Sequence, residues 1–508
     1  MAAARKPKNE PVWWTGTKLP EYPRLEKDTR VDVAVVGAGI SGLTTAYLLA
    51  REGKSVAVVD DGGLATGMTG ATTAHLASAL DRRYGEMERV RGGEAARLAA
   101  ESHGAAIDRI ERIVEEEKIA CDFGRVDGFL FAAPDAEPAE LDRELEAARR
   151  AGLPIEKIPR APLPAFDTGP CLRFPRQGRF HPLEYLAGLA GAIDRRGGRI
   201  FTNTHADEIR GGSDARIRAG RHRIACDAIV VATNTPVNDL VSIHTKQAPY
   251  MTYAIGARIP DGAVPAALFW DTEDPFHYVR TQKMPDGNGD CLIVGGEDHK
   301  TGQADDAGER HGRLEEWARV LFPEMEEVAF TWAGQVMETL DGLAFIGRNP
   351  MDAENVFIVT GDSGNGLTHG TIAGILLTDL ILGRPSPWAE LYDPARMPIL
   401  AAGTFLREAA NVAAQYADWV TGGDVESEAD IPPDTGAVLR RGLKKVAVYK
   451  GPRGAVHEFS AVCPHLGCIV QWNPAEKTWD CPCHGSRFDK LGKVVNGPAN
   501  RDLDPAGD

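Results

Sequence analysis

Apolar positions in this chain cluster into short Val- and Ile-rich runs closed by glycine turns, the pattern of strands buried on both faces. Residues 31–36 (VDVAVV) read as the first such strand, Ile40–Arg51 as a helix, and 54–60 (KSVAVVD) as a second strand. Ile107, Ile110 and Val114 recur at helical spacing in a charged segment, which predicts an amphipathic helix. Prolines recur through 154–182 and predict loop. Further strands are expected at 199–208, at 223–232, and around Tyr253, Tyr278 and Leu292 between PDG and NGD turns. Val356–Thr360 reads as another strand, and a helix over 371–382 follows a glycine-rich loop. A last helix is expected within 402–420, with Phe405, Ala409, Val412, Tyr416 and Trp419 on one side. The acidic stretch TGGDVESEADIPPDTG then reads as a linker, followed by short strands and turns to the C-terminus.

At 508 residues the chain predicts about three to four domain-sized units. A net charge of −16 argues against a nucleic-acid partner, whose binding face would be basic. No run approaches the ~18 apolar residues of a transmembrane span. The opening MAAARKPKNEPVWW has no apolar stretch behind its basic residues, so no secretory signal is expected and the cytoplasm is the expected compartment. Cysteine usage is uneven: four of the 8 lie between Cys463 and Cys483. Cys121, Cys171, Cys226 and Cys291 are expected to be free and buried.

Gly37-Ala38-Gly39-Ile40-Ser41-Gly42 is G-x-G-x-x-G placed between a strand and a helix. Gly37 permits the tight turn, Gly39 lets backbone N–H groups approach a pyrophosphate, and Gly42 lets the helix pack on the strand. The helix start at Ile40 and Ser41 adds partial positive charge. Asp60, ending the second strand, is placed to hydrogen-bond a ribose hydroxyl. This unit predicts a bound dinucleotide without choosing between NAD and FAD.

Residues 12–395 resemble the D-amino-acid-oxidase-like (DAO) family of FAD-dependent oxidoreductases. The resemblance is carried by DVAVVGAGISGLTTAYLLAREGKSVAVVD, by IVVATN at 229–234, by W-A-G-Q at 332–335 and D-G-L-A-F-I-G at 341–347, and by the loop Gly361-Asp-Ser-Gly364-Asn-Gly366. It implies an α/β Rossmann-like FAD-binding domain of the glutathione-reductase type, with an inserted α+β substrate domain. The implied FAD-binding parts are about 31–100, 185–245 and 335–400, and the substrate parts about 101–184 and 246–334, after an N-terminal extension, 1–30. FAD is then the cofactor, with Gly361, Gly364 and Gly366 near the flavin ring. Tyr253, Tyr278 and Arg280 fall on strands of the presumed substrate domain. Arg280 is a candidate for pairing a substrate carboxylate, with a structural arginine as the alternative, and the tyrosines are either substrate contacts or core aromatics. His75, in T-A-H-L-A-S, partly resembles the segment by which dimethylglycine and sarcosine dehydrogenases tether FAD; a loop histidine beside the flavin is the alternative.

Cys463-Pro-His465-Leu-Gly-Cys468 is followed by Cys481-Pro-Cys483-His484-Gly-Ser486. Two cysteines and two histidines would also suit zinc, but C-x-H is not the usual zinc-finger spacing. The two motifs resemble those of a Rieske domain, an all-β unit implied over 431–508 after a helix and linker at 401–430. The resemblance implies a [2Fe-2S] cluster with Cys463 and Cys481 on one iron and His465 and His484 on the other, and a disulfide between Cys468 and Cys483. Phe488 stands where high-potential members have a tyrosine, so one donor to the cluster sulfurs is missing and a lower potential is expected.

Together these readings predict a dehydrogenase of an amine or amino-acid substrate. Its electrons pass from FAD through the cluster, one at a time, to an external protein or quinone acceptor. A flavin/Rieske electron-transfer module serving a partner protein is the alternative. A Rieske oxygenase is excluded, since it needs a mononuclear iron site after the Rieske motifs and no histidine follows His484.

Overall fold

The computed structural model describes residues 8–137, 139–238, 243–397, 402–419 and 421–506; of the helix at Ala402–Gln415, the side chains at 402–406 and 409 fall outside this description. Two large sheets, a four-stranded sheet (Glu208–Arg210, Arg216–Ala219, His222–Ala225, Thr29–Arg30) and a small all-β unit make up the architecture. The first is a six-stranded sheet, ordered Phe345–Arg348, Val356–Thr360, Ala228–Val231, Val33–Val36, Val56–Val59, Arg199–Phe201. All its pairings are parallel except that of the Phe345–Arg348 edge. Strand alternation explains the Val-rich runs. Val33 and Val35 face one core together with the helices Ile40–Arg51 and Gly366–Ile381, while Ala34 and Val36 face a second core with Ile217 and Ile224. The two helices cross closely because a Cβ at Gly374 would lie 2.5 Å from the Thr44 methyl.

The second sheet has ten strands and is mixed, with Val328–Thr339, Gln247–Ile259, Asp290–Lys300, Tyr278–Lys283 and Leu268–Trp270 as neighbours. One face packs on the helix Ala307–Leu321, burying Ile255, Val279, Leu292 and Val294. The other face looks toward the first sheet. The expected strand around Leu292 extends to Lys300, and the helix expected at 107–114 runs over Gly93–Glu117.

The prolines misled at one place. Instead of loop throughout 154–182, the chain forms Glu156–Ile158 and the nine-residue strand Cys171–Arg179. Pro175 is tolerated because the ladder is broken beside it: Arg176 has φ +58° and the partner register slips between Val126 and Gly128.

The C-terminal unit contains a three-stranded and a four-stranded antiparallel sheet, with Trp479 and Phe488 in its core. The helix expected within 402–420 spans Ala402–Gln415 and ends in a tight turn, Tyr416–Trp419. Phe405 and Ala409 have side chains outside the described residues. The rest of that face does meet the C-terminal unit: Val412 packs on its core, the Tyr416 hydroxyl donates to the Leu466 carbonyl at 2.8 Å, and the Trp419 indole donates to the Gly467 carbonyl at 2.9 Å. Among the described residues, no helix is long and apolar enough to cross a membrane.

Candidate functional site

A cavity of about 1110 Å³ runs between the two large sheets. At one end lie Gly37, Gly39, Ile40, Ser41 and Asp60; at the other lie Asp81, Gly364, Asn365 and Gly366. The first end is shaped by missing side chains. Gly37 has φ +109°, and a Cβ there would sit 2.3 Å from the Ala232 carbonyl oxygen. A Cβ at Gly42 would sit 1.9 Å from the Gly37 carbonyl oxygen, so Gly42 serves helix–strand packing and does not line the cavity. Gly39 is different: its Cβ would meet only the Thr69 hydroxyl, at 3.0 Å, so its bareness serves the cavity. Asp60 accepts from the Ala38 N–H at 2.6 Å and the Gly62 N–H at 2.9 Å; burial raises its pKa and those donors oppose the rise.

At the far end, Gly364 has φ +78° and presses against Asp81, whose carboxylate would clash with any Cβ there. Gly361 does not line the cavity and instead packs on the Thr339 methyl. Buried polar atoms without hydrogen-bond partners border the same space: Asn234 Nδ2, Asn365 Oδ1 and His75 Nε2. A glycine-lined cradle, a helix N-terminus and open polar valences suit a dinucleotide whose ring system reaches the second glycine loop.

His75 lines the cavity, with its ring edge toward Tyr278 (centroids 5.5 Å) and Nδ1 at 3.1 Å from the Thr73 hydroxyl. Burial, helped by Arg280, pulls its pKa down to about 3, so the ring is neutral. Tyr278 also lines the cavity and shares a 2.7 Å hydrogen bond with the Thr252 hydroxyl. Tyr253 and Arg280 are not brought there. Tyr253 is one residue out of phase with the cavity-lining Thr252 and Ala254, so it leaves from the opposite face and meets His299 at 3.3 Å. Arg280 is sealed under Trp13 and spends its guanidinium on the carbonyls of Ala74 (2.6 Å) and Phe180 (3.1 Å) and on Gln282.

Spacing gave no sign of the cavity's acidic lining: Asp81, Asp298, Glu338 and Asp362. Burial raises all four pKa values, Asp81 to about 8, Glu338 to about 7, and Asp298 and Asp362 to about 6. Period-two alternation on Val328–Thr339 would have grouped Trp332, Gly334, Val336 and Glu338, all of which line the cavity.

In the C-terminal unit two loops converge. The Cys463 N–H donates to the Cys468 carbonyl at 2.8 Å, and the Cys481 N–H to the Ser486 carbonyl at 2.8 Å, curling each loop around its first cysteine. A disulfide joins Cys468 to Cys483 and ties the loops together. The His465 and His484 rings stand perpendicular with centroids 5.0 Å apart. The Cys463 and Cys481 thiols hydrogen-bond each other, and that contact draws Cys463 below the usual thiol range and drives Cys481 above it. Burial keeps the His484 imidazole neutral. Two thiols and two imidazoles from tied loops suit a binuclear iron–sulfur centre.

The two sites touch. The Gln335 amide donates to the Gly485 carbonyl at 2.9 Å and accepts from Asn496. His244, which no sequence signal marked, sets its ring edge-on to His465 with centroids 4.8 Å apart, and 6.1 Å from His484. Asn500 donates to the Ala206 carbonyl at 3.0 Å, so part of the C-terminal unit walls the Asp60 end of the cavity.

Comparison with known proteins agrees with this division. Residues 32–380 match the family described as FAD dependent oxidoreductase (DAO), and residues 423–505 match the Rieske [2Fe-2S] domain. The chain is 32% identical over 501 residues to a Rieske 2Fe-2S iron-sulfur protein, YhfW, of Bacillus subtilis (strain 168), covering 97% of both chains. It is 25% identical over 392 residues to the gamma-glutamylputrescine oxidoreductase of Escherichia coli (strain K12), covering 75% of this chain and 89% of that one. Glycine oxidase from Geobacillus kaustophilus shares the fold, with a TM-score of 0.60 and 20% identity over 73% of this chain and 99% of its own.

Proposed function

This chain belongs to the family of FAD-dependent oxidoreductases and carries a Rieske [2Fe-2S] domain, with FAD and a [2Fe-2S] cluster as its cofactors; from that premise we propose that it is a dehydrogenase of amine substrates that sends electrons through its own cluster to an external acceptor. Bound FAD supplies a two-electron oxidant for a C–H bond beside an amine nitrogen, and the cluster supplies one-electron steps. Oxidation of CH–NH to C=N releases two electrons and two protons, so two one-electron acceptors are reduced per turnover.

The chain's own residues would divide the work as follows. Gly37, Gly39, Ile40 and Ser41 offer backbone amides to the pyrophosphate, and Asp60 offers a carboxylate to the ribose. The Gly364–Gly366 loop seats the flavin ring, with His75 beside it as a neutral contact. Tyr278, held by Thr252, orients the substrate. Cys463 and Cys481 hold one iron, and His465 and His484 the other. We place the protein in the cytoplasm.

One observation carries the coupling of the two cofactors. The strand Val328–Thr339 lines the cavity with Gly334, Val336 and Glu338, and from the same strand Gln335 hydrogen-bonds the cluster loop at Gly485. Dehydrogenation and electron exit therefore share one rigid element. The test is anaerobic mixing of holoenzyme with a panel of amines and amino acids while flavin and cluster absorption are followed. Flavin bleaching followed by cluster reduction is expected. Bleaching by none of them would overturn the dehydrogenase reading in favour of a module that serves a partner protein.

A further inference from the structure

The flavin end of the cavity is lined by carboxyl groups, and the backbone is bent to add one. On Asp290–Lys300, Cys291 and Ile293 face the cavity-side core while Leu292 and Val294 face the opposite one. Continued alternation would turn residue 297 toward the cavity. Instead the ladder against Met251 and Tyr253 slips, Glu297 takes φ +60°, and Asp298 arrives on the cavity side while His299 returns to Tyr253 on the other. Such a bulge re-aims one side chain at the cost of a broken ladder. Arg310 pins it by donating to the Glu297 carbonyl at 2.7 Å.

Asp298, so placed, is half-buried, and its Oδ1 is shielded from solvent without a hydrogen-bond partner. Thr252 bonds its carboxylate, and the same hydroxyl bonds Tyr278. Glu338 reaches the cavity from the neighbouring sheet edge, and Asp81 and Asp362 reach it from either side of the second glycine loop. Three arginines act on these four carboxyls: Arg82 on Glu338, Arg83 on Asp81 and Arg310 on Asp298. Arg82 stands 3.7 Å from Glu338 and donates to the Leu340 carbonyl, while Arg83 lines the cavity and donates to the Asp271 carbonyl at 2.8 Å. The carboxyls outnumber the guanidinium groups, and burial raises the pKa of every one of them. The residue that would have clamped a substrate carboxylate, Arg280, is sealed elsewhere on backbone carbonyls.

We propose that the cavity selects amines bearing a second cationic group, such as straight-chain diamines and polyamines, through Asp298, Glu338 and Asp81, and disfavours amino-acid carboxylates. The proposal rests on the amine-dehydrogenase reading for its chemistry but concerns binding, so the two fail separately. A second ammonium group is attracted by carboxylates that burial otherwise penalises in their charged form, whereas a carboxylate there adds repulsion in a low dielectric.

The test uses holoenzyme and three probes of equal chain length: cadaverine, n-pentylamine and δ-aminovalerate. Binding is read anaerobically from the perturbation of flavin absorption, and turnover from its bleaching. Cadaverine is expected to bind about tenfold or more tighter than n-pentylamine, with δ-aminovalerate weakest, each tenfold being one decade in Kd. Asp298→Asn and Glu338→Gln, which keep shape and remove charge, are each expected to shrink that preference several-fold. FAD and iron content certify both proteins. Equal or tighter binding of the monoamine or the amino acid by the unaltered protein overturns the proposal. So does a preference that both variants leave untouched. Selective binding of cadaverine without bleaching upholds the cation-selective cavity and overturns the dehydrogenase reading alone.

Discussion

Gln335 donates to the carbonyl of Gly485 at 2.9 Å, joining the strand that lines the flavin cavity to the loop that carries His484 and Ser486. The same amide accepts from Asn496, so one side chain holds two elements of the Rieske unit against the oxidoreductase. Replacing it with leucine leaves a buried carbonyl and a buried amide unpaired, a cost of about 1–3 kcal/mol each. Gln335→Leu should keep both cofactors yet slow electron passage from flavin to cluster by about tenfold or more, since each 1.4 kcal/mol is tenfold in an equilibrium. Stopped-flow absorption after anaerobic substrate addition measures this, and an unchanged cluster-reduction rate would show that the contact does not govern transfer.

The glycines of the first cradle should separate by role. Gly39→Ala places its methyl against only the Thr69 hydroxyl, 3.0 Å away, so the fold should survive while FAD affinity falls. Gly37→Ala and Gly42→Ala force a Cβ within 2.3 and 1.9 Å of backbone carbonyl oxygens and should destabilise the nucleotide-binding sheet itself. The cost is about 1–3 kcal/mol or more. Thermal melts with FAD titration distinguish the cases; wild-type FAD affinity in Gly39→Ala would count against the cradle.

Cluster ligation should be separable from flavin binding. Cys481→Ser removes one thiolate of the proposed Cys463–Cys481 pair and should abolish the iron content and the cluster's visible absorption. FAD, cradled by the glycines of another sheet, should stay bound. Retention of a full iron complement would exclude Cys481 as a ligand.

Phe488 is fully buried beside Trp479 and carries no hydroxyl toward the cluster loops. Phe488→Tyr should raise the cluster potential. One hydrogen bond of about 1 kcal/mol favouring the reduced form corresponds to roughly 40 mV for a one-electron couple. Redox titration followed by electron paramagnetic resonance reads the shift, and a fall in potential would refute the assignment.

Diamine binding should strengthen as pH rises from about 6 to about 8, because Asp298, Glu338 and Asp81 lose protons near 6, 7 and 8 while primary ammonium groups, near 10.4 like lysine, stay charged. The groups facing them set the sign. Glu338, Asp298 and Asp362 raise Asp81 and Arg83 lowers it; Arg82 lowers Glu338 while Asp298 and Asp362 raise it; Arg310 and His277 lower Asp298 while Glu297 raises it. Burial leads in each case and favours the neutral carboxyls until a cation or higher pH deprotonates them. Calorimetry in two buffers should show proton release on binding. Affinity that falls over this range would contradict the sign.

Local chemistry made much of this molecule legible in its sequence. The dinucleotide unit is contiguous, so the strand Val33–Val36, the glycines and the helix Ile40–Arg51 announce themselves within twenty residues or so. Cluster ligands sit in two short loops whose spacing is fixed by the curl of each loop around one cysteine. The strand at Cys171–Arg179 was hidden because Pro175 is allowed only by a bulge that depends on its partner strand.

The acids that line the cavity were beyond reach for a related reason. Asp81, Asp298, Glu338 and Asp362 come from four separate segments and meet only when the sheet closes over the glycine loop. A one-residue bulge decides that Asp298, not Glu297, faces inward, and strand phase decides that Thr252 does and Tyr253 does not. The sequence by itself determined that a dinucleotide and an iron–sulfur cluster are bound, because each has short local motifs, and the wider resemblance over residues 12–395 singled out FAD. Only the tertiary structure decided which acids line the cavity and which side chain joins its strand to the Rieske unit, because strand register and packing between units are properties of paired segments, not of any one of them.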